Sequence, residues 1–451
     1  MEIKKFVLKQ ILDIKTYGIK ELFRKFYLLI KKLLVIPVNI IAIVPCLIIR
    51  LISPWIIIRM SRIPCANYGN FVRDLTFYYC YYCKKRLKIE LLEKKYIDLL
   101  YISPKDKIYN RQIAKMWKRK LNIVSGHLLE PIDKIGKFIP GWKVSDPIVV
   151  CRHQHAFKKR SQHLPLYFDN LIEKHQPLSF TIEEEIYGRK MLNKFGLKKD
   201  SKFVCLAVRD NAYQLKKIPS RFRDWSYHDY RHWDLDNFIL AAEELTKRGY
   251  YVFRMGVVVN KPFNTNNLKI IDYANSDLRS DFMDVYLGAK CSFCISTGYG
   301  FDELPYIFGR PTALISLPLG DLRAYSEKYI LLTKHHILKK EKRKLSLSEI
   351  FSHGVAYAEE TKIFEEKGIE LIDNSPNEIK DLALEMAENV ESKKTLNFED
   401  QKLQKTFKDL FASNIKHTDP PMHKKLINLA NVPIKSSFST KFLRENRNWL
   451  K

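Results

Sequence analysis

The sequence predicts an α/β protein built on a doubly wound parallel sheet. Three observations predict it. Short β-runs alternate with helical patterns between residues 200 and 320, and such alternation builds parallel sheets. Residues 280–318 form a βαβ unit with its glycines at the strand-to-helix turn, Thr297-Gly298-Tyr299-Gly300. Three strand ends carry an arginine or this turn, so one sheet edge collects cations and exposed backbone N–H groups.

Residues 1–30 show an amphipathic helical pattern, with Phe6, Leu8, Ile11, Leu12, Leu22, Phe23, Phe26 and Tyr27 among lysines. Residues 33–58 carry Arg50 as their one charge and are interrupted by Pro37, Asn39, Pro45 and Pro54. A spanning helix needs about twenty apolar residues. Residues 33–49 supply seventeen, two of them prolines. Lys31 and Lys32 flank one side, and Arg50, Arg59 and Arg62 the other. A spanning segment favours one basic flank; two fit a segment lying in the membrane interface. The expectation is a membrane-associating segment over residues 1–62, attached from one side, with a single span as the alternative. The apolar run starts too late for a cleaved signal peptide.

Residues 63–197 mix aromatic-rich helical stretches with β-runs at 96–103 and 148–151, and read as a first, acceptor-side domain. His153 and His155, ahead of Lys158-Lys159-Arg160, are candidates for acceptor-side chemistry. As a metal pair they lack a third ligand at suitable spacing.

Residues 198–395 read as the second domain. Its β-runs are 203–209 (FVCLAVR), 250–254 (YYVFR), 268–272, 291–296 and 312–317. A helical pattern over 234–248 ends on Gly249 as a C-cap. Residues 331–345 (LLTKHHILKKEKRKL) read as a solvated charge run. Residues 396–451 form a basic tail expected to pack back on the core, with residues 442–450 reaching the first domain.

Open parallel sheets bind ligands at the carboxyl edge. Glycine lets a backbone approach a ligand, and a helix start attracts phosphate. Arginine suits bidentate phosphate recognition. The candidate nucleotide-diphosphate site is therefore Arg209, Asp210, Asn211, Tyr213, Arg254, Gly256, Ser296, Thr297, Gly298, Tyr299 and Gly300. Pairing of the two arginines with surface carboxylates is the alternative. Residues 210–233 are long for a βα connection, where two to six residues are usual, and long loops in compact domains carry function. This one holds His228, Asp229, Tyr230, Arg231 and Trp233. Aromatics stack on a base or sugar, and His228 or Asp229 can take a proton from an acceptor hydroxyl. His228, Asp229 and Arg231 are the candidate catalytic residues.

Net charge is +28. The basic residues are spread along the chain without a zinc-finger, homeodomain or RNA-binding pattern, which disfavours nucleic acid. Residues 1–62 hold twelve Lys/Arg against three Asp/Glu. Two Cys-x-x-Cys pairs, Cys80/Cys83 and Cys291/Cys294, would have to converge to bind zinc. The latter pair is expected on one strand with its side chains on opposite faces, so buried, reduced thiols are the reading.

Several segments together resemble a largely uncharacterised bacterial family of glycosyltransferases of the GT-B-like kind. They are NRQIAKMWKRKLNI (110–123), VCLAVRDNAY (204–213), YHDYRHWDLDNF (227–238), GYYVFRMG (249–256), STGYGFDELPYIFGRP (296–311), GIELIDNSPNEI (368–379) and SFSTKFLRENRNWL (437–450). The resemblance implies two Rossmann-like domains, the second binding a nucleotide sugar. It implies sugar transfer to a cell-surface glycan or lipid-linked acceptor, at the cytoplasmic face of the inner membrane. It also implies a basic or histidine-bearing turn near residues 64–70, where this chain has Pro64-Cys65-Ala66-Asn67-Tyr68-Gly69-Asn70. Val208-Arg209-Asp210 resembles part of a strand-end motif of fucosyltransferase-like enzymes that bind GDP-fucose. Rival readings are a non-catalytic membrane-bound scaffold of a polysaccharide assembly complex and pyruvyl or phosphoryl transfer to glycans. No cofactor beyond the donor and no divalent metal are expected. The nearest Asp-x-Asp, Asp234 and Asp236, falls at a helix start, where aspartate is a favoured cap.

Overall fold

The computed structural model describes residues 35–89, 95–139, 177–217, 224–298, 300–315, 326–392, 396–415 and 434–451, with a few isolated positions between them. His153, His155 and the β-run at 148–151 lie outside the described residues, as does Tyr299.

The chain forms two compact units that interleave in sequence. The first comprises Met1–Ile63, Leu91–Lys105 and Asn122–Pro147; the second comprises Pro64–Glu90, Asp106–Leu121 and Ile148–Lys451. The consecutive division expected at residues 63 and 198 is therefore corrected. Segments between the first unit's strands find their apolar partners in the second. Helix Arg111–Lys118 starts on Asn110, whose side chain accepts from Ile113 N–H and donates to the Asp281 carbonyl at 2.9 Å. Its Trp117 is fully buried, and Gln112 donates to Glu184 at 2.9 Å.

In the first unit, β1 (Ile56–Arg62), β2 (Lys95–Ile102) and β3 (Ile123–Ser125) form a parallel sheet in that order. Helix Val35–Ile52 packs through buried Ala42 and Cys46, whose Sγ donates to the Ile132 carbonyl at 3.2 Å. Among the described residues no helix is long and apolar enough to cross a membrane. Arg59 is not the free basic flank that the sequence suggested. It is buried and forms a fork with its register partner Asp98, both contacts at 2.5 Å.

The second unit is built on seven parallel strands: β4 (Phe203–Ala207), β5 (Tyr251–Arg254), β6 (Ile270–Ile271), β7 (Phe293–Ser296), β8 (Thr312–Ile315), β9 (Tyr329–Leu332) and, after a smaller sheet, β13 (Ser437–Phe438). Their order is β13-β9-β8-β7-β4-β5-β6. Every residue of β4, β7, β8 and β9 is buried, as strands covered on both faces must be. β4 leads outward through β5 to β6, and the chain then returns to β7 on the other side of β4. The crevice between the carboxyl ends of β4 and β7 is thus the topological switch point.

Three expectations are corrected in detail. The helical pattern at 234–248 is a 3₁₀ turn, Leu235–Phe238, followed by helix Ile239–Lys247; Gly249 closes it at φ +89°. The run 331–345 is not a solvated loop. It finishes β9 and then builds β10 (His335–Leu338) and β11 (Arg343–Lys344), which pair antiparallel with each other and with β12 (Ile369–Ile372); the exposed lysines sit at the tip. The tail completes the second unit itself. β13 pairs with β9, and Trp449 stacks on Phe438 at 4.8 Å and on Phe407 at 6.2 Å.

Candidate functional site

At the switch point the two strand ends are stitched together. Thr297 N–H donates to the Ala207 carbonyl at 3.1 Å, and Arg209 N–H donates to Thr297 Oγ1 at 2.8 Å. Gly298 turns the chain at φ +72°, a conformation that favours glycine. Its carbonyl accepts from the Arg231 guanidinium at 3.0 Å. Arg231 ends the 3₁₀ helix Ser226–Arg231, and the segment after it returns to the same edge, where Trp233 N–H donates to the Arg209 carbonyl at 3.3 Å. Arg209, Arg231, Thr297 and Gly298 therefore converge on one crevice.

The loop's other residues surround them. Asp229 is half exposed, and its carboxylate lies 3.2 Å from His232 Nδ1. Burial, with the Arg209 charge next, pushes the His232 imidazole below its usual value. His228 lies against Tyr227, ring centroids 4.0 Å apart. Lys334, just past β9, is buried; its Nζ donates to the His232 carbonyl at 2.6 Å, pairs with Asp373 at 2.7 Å and sits 4.5 Å from the Trp233 ring. Burial pushes the Lys334 ammonium down and Asp373 opposes it. Sequence reasoning passed over His232 and Lys334. The Asp229–His232 spacing was a signal for one; nothing marked the other within its run of charges.

Other predicted site residues do different work. Arg254 is 1% exposed. It pairs with Asp272 at 3.2 Å and donates to the Lys261 carbonyl, so for this arginine the carboxylate alternative obtains. Asp210 accepts from Ala212 N–H at 3.0 Å and Asn260 N–H at 2.9 Å, and Asn211 accepts from the Asn260 amide at 2.7 Å. These two dock a neighbouring loop. Tyr213 packs edge-on to Tyr109 at 5.4 Å, and burial pushes its phenol up. A Cβ on Gly256 would meet Val259 Cγ1 at 2.5 Å. Arg254, Asp210, Trp233, Asp234 and Lys261 line a cavity of about 170 Å³ on the β5 side of the crevice.

The glycine turn also differs from expectation. Ser296 Oγ donates to Asp302 at 3.1 Å. A Cβ on Gly300 would meet Gly69 N at 3.0 Å, so this glycine admits the start of helix Tyr68–Ile89 rather than a ligand. The element after the turn is a 3₁₀ turn, Gly300–Asp302, then helix Glu303–Ile307. Buried Asp302 and Glu303 already supply negative charge at that short helix start, so it is no anion site.

Asp234 caps its 3₁₀ turn, accepting from Asp236 N–H at 3.2 Å, and Lys261 Nζ bridges both carboxylates at 2.8 Å. Among the described residues no three metal-ligating side chains cluster. Cys291 precedes β7 as a helix cap instead of lying on it; it and Cys294 are buried and unbridged.

No family model matches the sequence, and no curated protein matches it. Among solved structures the chain is similar to a glycosyl transferase family 9 protein from Veillonella parvula, at 11% identity over 74% of this chain and 97% of that one, TM-score 0.40. It is similar to E. coli ADP-heptose lps heptosyltransferase II, at 13% identity over 61% and 90%, TM-score 0.32. It is also similar to E. coli heptosyltransferase WaaC with ADP-2-deoxy-2-fluoro heptose, at 11% identity over 60% and 92%, TM-score 0.29. These structural neighbours are glycosyltransferases.

Proposed function

We propose that this protein transfers a sugar from a nucleotide-diphosphate sugar to a hydroxyl of a cell-surface glycan or lipid-linked acceptor. The sequence resemblance supplies the reaction class. The observation that carries the site is that the Arg209 backbone and the Arg231 guanidinium both meet the Thr297-Gly298 turn at the switch point of an all-parallel sheet. A departing nucleoside diphosphate develops negative charge, and preorganised cations stabilise it. Arg209 and Arg231 face that charge, and Lys334 holds the His232–Trp233 segment in place behind them. The half-exposed Asp229 takes the acceptor proton as the acceptor oxygen attacks the anomeric carbon and the bond to phosphate breaks. Lys261 occupies the Asp234/Asp236 pair, which supports transfer without a divalent ion. We place the protein on the cytoplasmic face of the bacterial inner membrane, held by residues 1–62.

Titration calorimetry against UDP, GDP, CMP and ADP tests the reading. One nucleotide should bind, and Arg209→Ala or Arg231→Ala should weaken it by about 1.5–3 kcal/mol, the range for a hydrogen bond to a charged group. With the matching donor, Asp229→Asn should lower turnover and spare binding, and turnover should persist in EDTA. Binding indifferent to both arginines would refute the site.

A further inference from the structure

Helix Val35–Ile52 has two unlike faces. Ala42 and Cys46 turn inward, and Ile132 receives the Cys46 thiol. Ile40, Ile41, Val44, Leu47, Ile48 and Leu51 recur three and four residues apart, so they share one stripe. Each is more than half exposed, from 53% at Leu47 and Ile48 to 72% at Leu51. Trp55, just past the helix, is 69% exposed. A continuous apolar stripe of this kind marks an interaction surface. The described side chains upstream do not cover it, because Ile19, Leu22, Phe23, Phe26 and Tyr27 are themselves exposed.

We propose that this stripe docks the protein in the plane of an anionic lipid surface, with Trp55 at the headgroup boundary. Charge complementarity selects the occupant. Residues 1–62 carry eleven Lys/Arg besides the buried, Asp98-paired Arg59, against three Asp/Glu, and the helix contains no acid. Arg50 stays at the surface, its guanidinium donating to Ser53 Oγ at 2.9 Å. Aromatic side chains such as Trp55 favour the headgroup level. The inward face fixes the orientation. A helix tied to protein along Ala42 and Cys46 offers lipid only its other side, as interfacial helices do. Its eighteen residues reach roughly 27 Å, short of the roughly 30 Å hydrocarbon core. The inference deepens the membrane attachment proposed above and does not depend on the transfer reaction.

The test uses the full chain with vesicles of phosphatidylcholine, with and without phosphatidylglycerol. Binding should require phosphatidylglycerol and weaken with salt. Brominated lipid should quench fluorescence, and Trp55→Phe should remove most of that quenching. Ile41→Asp/Ile48→Asp should lower vesicle affinity at least about tenfold, with circular dichroism unchanged because both sites are exposed. Unchanged affinity in this double variant would overturn the proposal. So would self-association in sedimentation velocity that the same variant abolishes, since a second copy would then cover the stripe. Cysteines placed at positions 35 and 62 that label from opposite sides of the vesicle would overturn the in-plane geometry. Nucleotide titration on the same samples separates the two readings. Loss of nucleotide binding in the unmodified protein would strike the reaction and leave the docking result standing.

Discussion

Each parallel sheet holds one deeply buried arginine, and the two are neutralised to different degrees. Arg59 lies mid-strand in β1 beside its register partner Asp98 on β2, and the pair closes as a two-point fork at 2.5 Å. Arg254 ends β5 at the carboxyl edge. It reaches Asp272 at 3.2 Å, and Asp272 also accepts from Phe263 N–H at 2.9 Å and the Asn275 amide at 2.7 Å. Its Nε has no hydrogen-bond partner among the described residues. A charge inside a sheet needs a close partner, because removing that partner leaves an uncompensated buried ion. A charge at the edge can share a carboxylate with other donors. Burial of an arginine therefore does not by itself mark function; the direction and completeness of its pairing separate the two cases.

The largest expected effect tests the first case. Arg59→Met should destabilise the first unit by about 3–5 kcal/mol in urea unfolding, and Arg59→Met/Asp98→Leu should recover much of that loss. A double variant no better than the single would show that the pair itself supplies the stability.

His336 supplies a third regime, a titratable base whose Nε2 is buried without a hydrogen-bond partner among the described residues. It is buried, and Nδ1 lies 3.0 Å from the Lys334 carbonyl. Burial pushes its pKa from 6.5 to about 4, and the backbone bond only partly opposes this. A base depressed in the folded state contributes stability above its unfolded pKa and loses it as pH falls through the folded one. The contribution should thus be full above pH 6.5 and decline toward pH 4, by about 3 kcal/mol in all. His336→Gln should flatten the difference curve against the unmodified protein. Parallel pH dependence in the two would dismiss the burial argument.

Arg254→Met should cost least, about 1.5–3 kcal/mol, because Asp272 keeps its two other donors. A loss matching that of Arg59→Met would erase the distinction between sheet interior and edge.

Much of the second unit was legible because its strands are short apolar runs punctuated by turns with one chemistry. Gly249 adopts the positive φ that its position after a helical pattern required. Arg209 and the Thr297-Gly298 turn fall on one edge because parallel strands bring their carboxyl ends together. The rest depended on distant partners. The role of Gly300 is set by Gly69, far away in sequence. Lys334 is hidden in a charged run, and only the pairing of β10 with β12 brings it to Asp373. Arg59 reads as a flanking charge until Asp98 is aligned with it. Interleaving of the units was illegible for the same reason: hydrophobic period shows that a helix has an apolar face, not which body receives it.

The late strand of the main sheet has a consequence for synthesis. β9 is an apolar strand whose outer neighbour, β13, arrives much later; Ser436, just ahead of β13, donates to the Ser326 carbonyl across 110 residues. At about 5–20 residues per second, the ribosome leaves that side of β9 uncapped for roughly 5–20 s. An open apolar edge is a template for pairing with another nascent chain. Crowding of ribosomes on one message would thus endanger this protein through its last strand to emerge, however stable the finished sheet.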